Sequence, residues 1–351
     1  MFKKIRNFFY DDIAIDLGTA NTLIYQKFNG IILNEPSVVS IVKDQDQILA
    51  VGNEAKKMMG RTPLNIQTIR PLRDGVIANF RAAEKMLQHF VKKIYEQRMI
   101  KPSASILICV PCNANQVDYR AIRESAFKCG ARKVFLIEEP VAAAIGVGMN
   151  IEKAYGSMVV DIGGGTLEIA IISLNGIVYS SSTKVGGDRC DDSIINYLKK
   201  KFNILVGEST AEFIKMEIGC AYFDKEVDQL KTLNVRGRSI ATGVPISVIV
   251  TNRDIQVALN EPLQQMVKAI QAALDASPPE LAADIIENGI VLTGGGALLN
   301  GINKLFKHTL QLPVIIAPDP LTCVARGGGR VLEMLSTSFD HAKHLLHIDY
   351  N

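Results

Sequence analysis

Two copies of one short phrase constrain this chain of 351 residues more than anything else in it. Ile13-Ala14-Ile15-Asp16-Leu17-Gly18-Thr19-Ala20-Asn21-Thr22 and Met158-Val159-Val160-Asp161-Ile162-Gly163-Gly164-Gly165-Thr166 each run from an apolar stretch into Asp, then Gly, then Thr. Each reads as a β-strand entering a tight turn. Glycine in such a turn lets backbone N–H groups approach an anion with no Cβ in the way. Thr hydroxyls add donors, and an Asp beside phosphates suits Mg2+ held through water. One Asp-x-Gly is common in turns. Two of them, 145 residues apart (161 less 16), predict a duplicated domain closing on one nucleotide from both sides.

The length suffices for two domains and a large core. With 48% hydrophobic and 21% charged residues the chain is globular. A net charge of +3 is too mild for a nucleic-acid protein, and the lack of Trp argues against a stacking platform for single strands. No apolar run approaches the roughly 18–20 residues of a membrane span. Met1-Phe2-Lys3-Lys4-Ile5-Arg6 lacks the apolar region of a signal peptide, so a cytoplasmic chain is expected. Cys109-Val110-Pro111-Cys112 has the spacing of a metal pair but no second pair to complete it, and reads as buried strand-end thiols. His341, His344 and His347 read as a solvated tail.

Strand-like and helix-like runs alternate, the mark of α/β architecture. Strands are expected at 105–110, 134–137, 158–161, 168–173, 176–182 and 289–293. Helices are expected at 85–97, 116–129, from Glu139-Pro140 onward, 191–202, 208–218, 261–274 and 297–306. The segment 227–238 reads as exposed strands of a small subdomain. Gly146-Val147-Gly148 and Ala325-Arg326-Gly327-Gly328-Gly329 read as hinges.

Two further places carry chemistry. Gly294-Gly295-Gly296, after an apolar strand and before an expected helix, repeats the anion logic, since a helix N-terminus offers free N–H groups and a favourable dipole. Glu138-Glu139-Pro140 sets two carboxylates before a helix. One of them could orient the water attacking a γ-phosphate, or both could merely complement the dipole. Successive side chains in an extended segment point apart, so one at most faces a cleft.

Together these segments resemble the actin-like ATPases, the superfamily of actin, heat-shock chaperone ATPases and sugar kinases. More narrowly, Ile15 to Leu23, Asn34-Glu35-Pro36-Ser37, Ile66 to Gly75, Glu139 to Gly146 and Cys323 to Gly329 look like the MreB family of bacterial shape-determining actins. The resemblance implies a duplicated actin-like α/β ATPase fold, two lobes around a nucleotide cleft, each with a small inserted subdomain. Lobe I would comprise 10–39, 76–149 and 326–351 with 40–75 inserted. Lobe II would comprise 150–187 and 252–325 with 188–251 inserted. It implies ATP and Mg2+ as cofactors: Thr19, Ala20, Asn21, Gly163, Gly164 and Gly165 around the phosphates, and Asp16 and Asp161 holding Mg2+ through water. Glu139 would position the attacking water with Thr166 beside it. Gly207, Glu208, Ser209 and Thr210 would contact ribose and base, and Gly294, Gly295, Gly296 and Ala297 would border the adenosine. Taken alone, the 207–210 segment looks like an ordinary helix start.

Three functions compete. A sugar kinase would need inserted sugar-binding loops, for which the chain is short. A chaperone would need a peptide-binding domain, and about two dozen residues follow Gly329. A polymerising cytoskeletal ATPase needs the fold and surfaces for self-association, and fits best. The family implies filaments on the inner face of the cytoplasmic membrane and partners among membrane proteins of cell-wall elongation. Positions 1–9 support the membrane directly. Met1, Phe2, Ile5, Phe8 and Phe9 share one helical face, with Lys3, Lys4, Arg6 and Asn7 opposite, the pattern of an interfacial anchor. Met99-Ile100 resembles the family's second insertion point; packing beneath a loop is the competing reading.

Overall fold

The computed structural model describes residues 11–43, 47–96, 104–224, 228–337 and 343–347. In lobe I, β1 (Ile13–Leu17), β2 (Asn21–Gln26) and β3 (Gly30–Pro36) form an antiparallel meander. β4 (Val39–Val42), β5 (Gln47–Val51) and β6 (Ile66–Ile69) make a separate small sheet, joined by the short Asn53–Met58 helix. A two-residue hairpin follows between β7 (Leu72–Arg73) and β8 (Val76–Ile77). Its turn, Asp74-Gly75, takes φ of 52° and 75°, as such a turn requires. β9 (Ser105–Val110) and β10 (Lys133–Glu138) then add in parallel beside β1, completing the order β3-β2-β1-β9-β10. All six residues of β9 are buried and all but Ser105 are apolar, as expected of a parallel strand covered on both faces.

Lobe II repeats that plan. β11 (Ser157–Ile162), β12 (Leu167–Ser173) and β13 (Gly176–Thr183) are again a meander. The Gly187–Phe202 and Glu208–Ile218 helices come next, with the small sheet of β14 (Ile204–Leu205), β15 (Thr232–Ser239) and β16 (Pro245–Thr251). β17 (Ile290–Thr293) and β18 (Val314–Ile316) close the main sheet in the order β13-β12-β11-β17-β18. Strand for strand this is the order of lobe I, so the duplicated phrases mark duplicated sheets.

Each lobe has its own apolar core. A third cluster, including Ala14, Leu107, Ala142, Val159, Ala170, Val324 and Val331, joins the lobes through the Glu139–Val147 and Cys323–Thr337 helices. The glycines read as hinges lie inside these helices, apart from Gly148, which ends the first with φ of 89°. A Cβ on Gly146 would sit 1.9 Å from the Cys323 carbonyl oxygen, and one on Gly327 1.7 Å from that of Ala142. These two residues permit a close crossing of two helices.

Helix boundaries differ from expectation at several places, and the helix expected from Asp191 begins at Gly187. The helix expected from Lys85 begins at Phe80, because Asn79 caps it by accepting from Ala82 N–H at 2.9 Å. The helix expected from Glu261 runs from Asn252 to Asp275 and passes through Pro262. Proline costs a helix interior one hydrogen bond, but here a Thr251/Asp254 capping box starts the helix nine residues earlier (261 less 252) and Pro262 is itself buried. The single helix expected over 297–306 is a 3-10 turn, Gly295–Leu298, then an α-helix, Ile302–Leu310, divided at Gly301 with φ of 76°.

The residues 343–347 dock on the fold, although His344 and His347 stay exposed as expected. The His347 N–H donates to the Leu136 carbonyl at 2.9 Å, its ring packs 5.0 Å from Tyr119 and its Nε2 lies 3.3 Å from Glu138 Oε1. The segment thus lies on the edge strand β10. His341 lies outside the described residues.

The Asp254 cap yields a stability prediction. Burial alone would raise this carboxyl, but hydrogen bonds from Lys201, Thr251 and Tyr197 outweigh it and hold the pKa at about 2. A folded-state value below the unfolded one stabilises the fold above the unfolded pKa and is lost as pH falls toward 2. Asp254→Asn should therefore cost about 1 kcal/mol near pH 7, the usual worth of such a cap. In thermal melts the gap from the wild type should close as pH drops from about 4 to about 2. A gap that persists at low pH would show that charge at this position is irrelevant.

Candidate functional site

A cleft of about 620 Å³ lies between the lobes, and both Asp-x-Gly phrases line it. Asp16, Thr19, Ala20 and Asn21 come from the β1–β2 turn, and Asp161, Gly163, Gly164, Gly165 and Thr166 from the β11–β12 turn. The two turns touch. A Cβ on Gly164 would lie 2.6 Å from the Ala20 Cβ, and one on Gly165 2.8 Å from Thr19 Oγ1. A side chain on either glycine would collide with the residues opposite and force the two turns apart.

Each turn is braced from outside. Ser37, fully buried, donates to the Gly18 carbonyl at 2.6 Å and shares a 2.9 Å hydroxyl contact with Thr22. In the second turn the Gly163 N–H closes on the Thr166 carbonyl at 2.8 Å, so its amide shapes the loop. The Gly163 and Gly164 carbonyls accept from Gly187 and Asp188 N–H, at 3.0 and 2.8 Å. The amides that could serve an anion there are those of Gly164 and Gly165.

Glu138 and Glu139 separate as extended geometry demands. Glu139 is buried at the first position of its helix and lines the cleft; Glu138, itself largely buried, turns one oxygen to His347 and does not line the cleft. Burial, and then the charges of Glu168, Asp16 and Asp161, raise the Glu139 carboxyl well above its usual range. Burial and then Asp161 push Asp16 up to about 8. Asp161 is raised to about 6 by burial, against a 2.6 Å hydrogen bond from Thr293 Oγ1 that lowers it. Among the described residues neither Asp16 nor Asp161 forms a salt bridge, and no three His, Cys, Asp or Glu side chains are placed to bind a metal directly. Buried carboxylates that lack a cation and cannot chelate one alone fit an ion carried by phosphates and held through water.

The remaining expected contacts divide. Gly294, Gly295 and Gly296 line the cleft, and Ala297 is buried beside them. The 3-10 turn that follows is too short to supply an α-helix dipole. Gly207, Glu208, Ser209 and Thr210 form the N-cap and first turn of the Glu208–Ile218 helix and do not line the cleft. Glu212, Lys215, Met216 and Glu217, further along that helix, do. Phe2, Ile5, Phe8, Phe9, Met99 and Ile100 lie outside the described residues.

Several residues emerge only here. Glu168 on β12 is fully buried, accepts the Cys112 N–H at 3.0 Å and is bonded by Ser182. Arg70 pairs with Asp188 at 2.9 Å and Lys56 with Glu212 at 2.8 Å, each bridging the two lobes' small subdomains. Ser37 was quoted only within a resemblance, and a lone Ser, Arg or strand Glu carries no sequence signal of its own.

Two sheets of one strand order, joined by crossing helices and meeting over a cleft at their strand ends, define the actin-like fold. The comparisons narrow this. A family model described as MreB/Mbl protein matches residues 10–339. The cell shape-determining protein MreB of Escherichia coli K12 is 56% identical over 339 residues, 95% of this chain and 97% of its own. Mbl of Bacillus subtilis is 48% identical over 326 residues, 93% of this chain and 96% of its own. Crystal structures of Spiroplasma citri MreB5 with ADP and with AMPPNP superpose at a TM-score of 0.89 and 35% identity. They cover 95% of this chain and 99% and 98% of their own. A MamK double-helical filament, 22% identical with a TM-score of 0.77 over 92% of this chain and 99% of its own, shares the fold. The chain belongs to the MreB/Mbl family.

Proposed function

We propose that this protein is an ATP-binding and ATP-hydrolysing cytoskeletal polymer that assembles on the inner face of the cytoplasmic membrane. There it organises cell-wall elongation and maintains rod shape. The observation that carries this reading is that both Asp-x-Gly turns and Glu139 face one cleft between two lobes. The identity to E. coli MreB, named as cell shape-determining, supports the cellular role, and the ADP- and AMPPNP-bound MreB5 structures support the ligand. The match covers 97% of the shape-determining relative, leaving little room for the inserted loops of a sugar kinase.

In this reading Thr19, Ala20, Asn21, Gly164 and Gly165 hold the phosphates and Gly163 shapes the loop. Asp16 and Asp161 would hold Mg2+ through water, and the bound ion would neutralise phosphate charge. Glu139, its proton affinity raised by burial, orients and accepts a proton from the attacking water, with Thr166 beside it. Gly294 to Ala297 border the adenosine, and Glu212, Lys215, Met216 and Glu217 supply the wall expected of residues 207–210. We keep the lobe boundaries expected from the sequence as our domain assignment. Because one ligand contacts both lobes, the γ-phosphate favours a closed monomer that joins filament ends, and hydrolysis removes that preference. Membrane proteins of the elongation machinery are the expected further partners.

Among the described residues no helix is long and apolar enough to cross a membrane; in this reading the amphipathic pattern of positions 1–9 provides the attachment. Lys3, Lys4 and Arg6 contribute about 1 kcal/mol each on an anionic leaflet. One such anchor binds weakly, and a filament carrying many binds by avidity. Purified protein should sediment with ATP, and more readily with anionic liposomes. Phe8→Glu with Phe9→Glu should abolish liposome co-sedimentation and leave hydrolysis intact. Persistent monomer across nucleotides, salts and lipids would return the reading to a kinase. Unchanged lipid binding by the double variant would remove the anchor.

A further inference from the structure

Glu168 lies deep between the lobes and is one of the few buried carboxylates outside the roles assigned above. It belongs to a polar row across the lobe II sheet. Ser182 on β13 stands opposite Glu168, Glu168 opposite Asp161 on β11, and Asp161 opposite Thr293 on β17. Within that row Ser182 donates to Glu168 Oε1 and Thr293 to Asp161. The other oxygen, Oε2, leaves lobe II altogether and accepts the backbone N–H of Cys112 in lobe I. Cys112 follows Pro111, which lines the cleft immediately after β9.

β9 and β10 are paired so that Val110 stands opposite Glu138. The Pro111-Cys112 corner and Glu139 therefore leave neighbouring strand ends together, and a restraint on the first constrains the second. We propose that Glu168 is a positioning residue: its carboxylate pins the Pro111-Cys112 corner of lobe I to β12 of lobe II and so fixes where Glu139 stands over the phosphate turns when the cleft is closed. The inference deepens the hydrolytic reading and rests on it. Two features support it. Glu168 is fully buried, so its hydrogen bonds do not compete with water. It is bonded by one donor from each lobe, an arrangement that a residue serving one lobe's packing has no need of.

A pin and a charge make opposite demands on substitution. Glutamine keeps the length and both contacts: its carbonyl can accept the Cys112 N–H and its amide can donate to the Ser182 hydroxyl. It removes the charge. Aspartate keeps the charge and, one methylene shorter, cannot span both donors. Three quantities should be measured on the full chain: kcat for ATP, Kd for AMPPNP, and hydrogen exchange at the Cys112 amide.

Glu168→Gln should hydrolyse ATP within about threefold of the wild type, whereas Glu168→Asp should lose roughly tenfold or more in kcat, since small misplacements of a catalytic group are costly. Both should keep Kd within about threefold, a difference of less than 1 kcal/mol. The Cys112 amide should exchange slowly in the wild type and Glu168→Gln and faster in Glu168→Asp. The opposite ranking, with Asp active and Gln impaired, would assign the effect to charge and overturn the pin. So would two variants indistinguishable from the wild type, or an amide no faster in Glu168→Asp. Parallel loss of kcat, affinity and thermal stability in both would reduce Glu168 to a support of the fold. A wild type that binds AMPPNP without hydrolysing ATP would instead remove the hydrolytic reading, while the amide exchange would still report on the pin.

Discussion

Glu139→Ala should lower the ATP hydrolysis rate about 100-fold or more, the range expected when a positioned general base is removed. Nucleotide binding should persist, because the carboxylate is proposed to touch the attacking water and the glycine turns to hold the phosphates. The adjacent Glu138→Ala should change the rate by less than about threefold, since small local changes away from the chemistry leave the transition state alone. Glu138 faces His347 on the far side of β10. Single-turnover rates and AMPPNP titrations on both variants decide the matter. Equal losses from the two, or lost binding in the Glu139 variant, would make that carboxylate structural.

Gly327→Ala should be the most damaging small substitution in the protein, at a cost of about 3 kcal/mol or more. The added methyl would lie 1.7 Å from the Ala142 carbonyl oxygen and 2.5 Å from its carbon. Both atoms belong to helix backbone, and no side chain can rotate away to make room. The Cys323–Thr337 and Glu139–Val147 helices would have to separate, opening the apolar cluster that joins the lobes and displacing Glu139 at the start of the second helix. Gly176→Ala is the control. Its nearest neighbour would be the Ser173 carbonyl at an ordinary 3.5 Å, so the change should stay within about 0.5 kcal/mol. Urea or thermal unfolding of the pair provides the check, and equal stabilities would mean that the helices part at little cost.

Much of the fold was legible because its signals are local. The apolar runs of β9 and β11, the Asp-x-Gly turns and the proline at the start of the Glu139–Val147 helix each act within a few residues. Duplication of the phrase foretold duplication of the sheet, since a turn of that kind needs a central strand to carry it. Convergence of the turns and Glu139 on one cleft follows from the same repeat.

What the chain alone concealed depends on partners distant in sequence. Pro262 reads as a helix start, and only the burial of its face in lobe II shows why a helix continues through it. Gly146 and Gly327 read as flexible joints until two helices cross on them. Residues 343–347 read as an undocked tail until the edge of β10 offers the His347 amide a carbonyl. Residues 207–210 form a helix start of the expected kind, and the cleft-lining residues of that helix, Glu212, Lys215, Met216 and Glu217, come further along it. Glu168 is the plainest case. Alternation along β12 predicts a side chain on one face, and nothing nearby in sequence says that Ser182 and Cys112 will stand there to receive it. Local preference and the repeat determined the strands, turns and duplicated plan of this protein. Which groups meet within and between the lobes was decided by packing alone, because hydrogen bonds between residues 14 and 56 positions apart exist only once the sheets are in place.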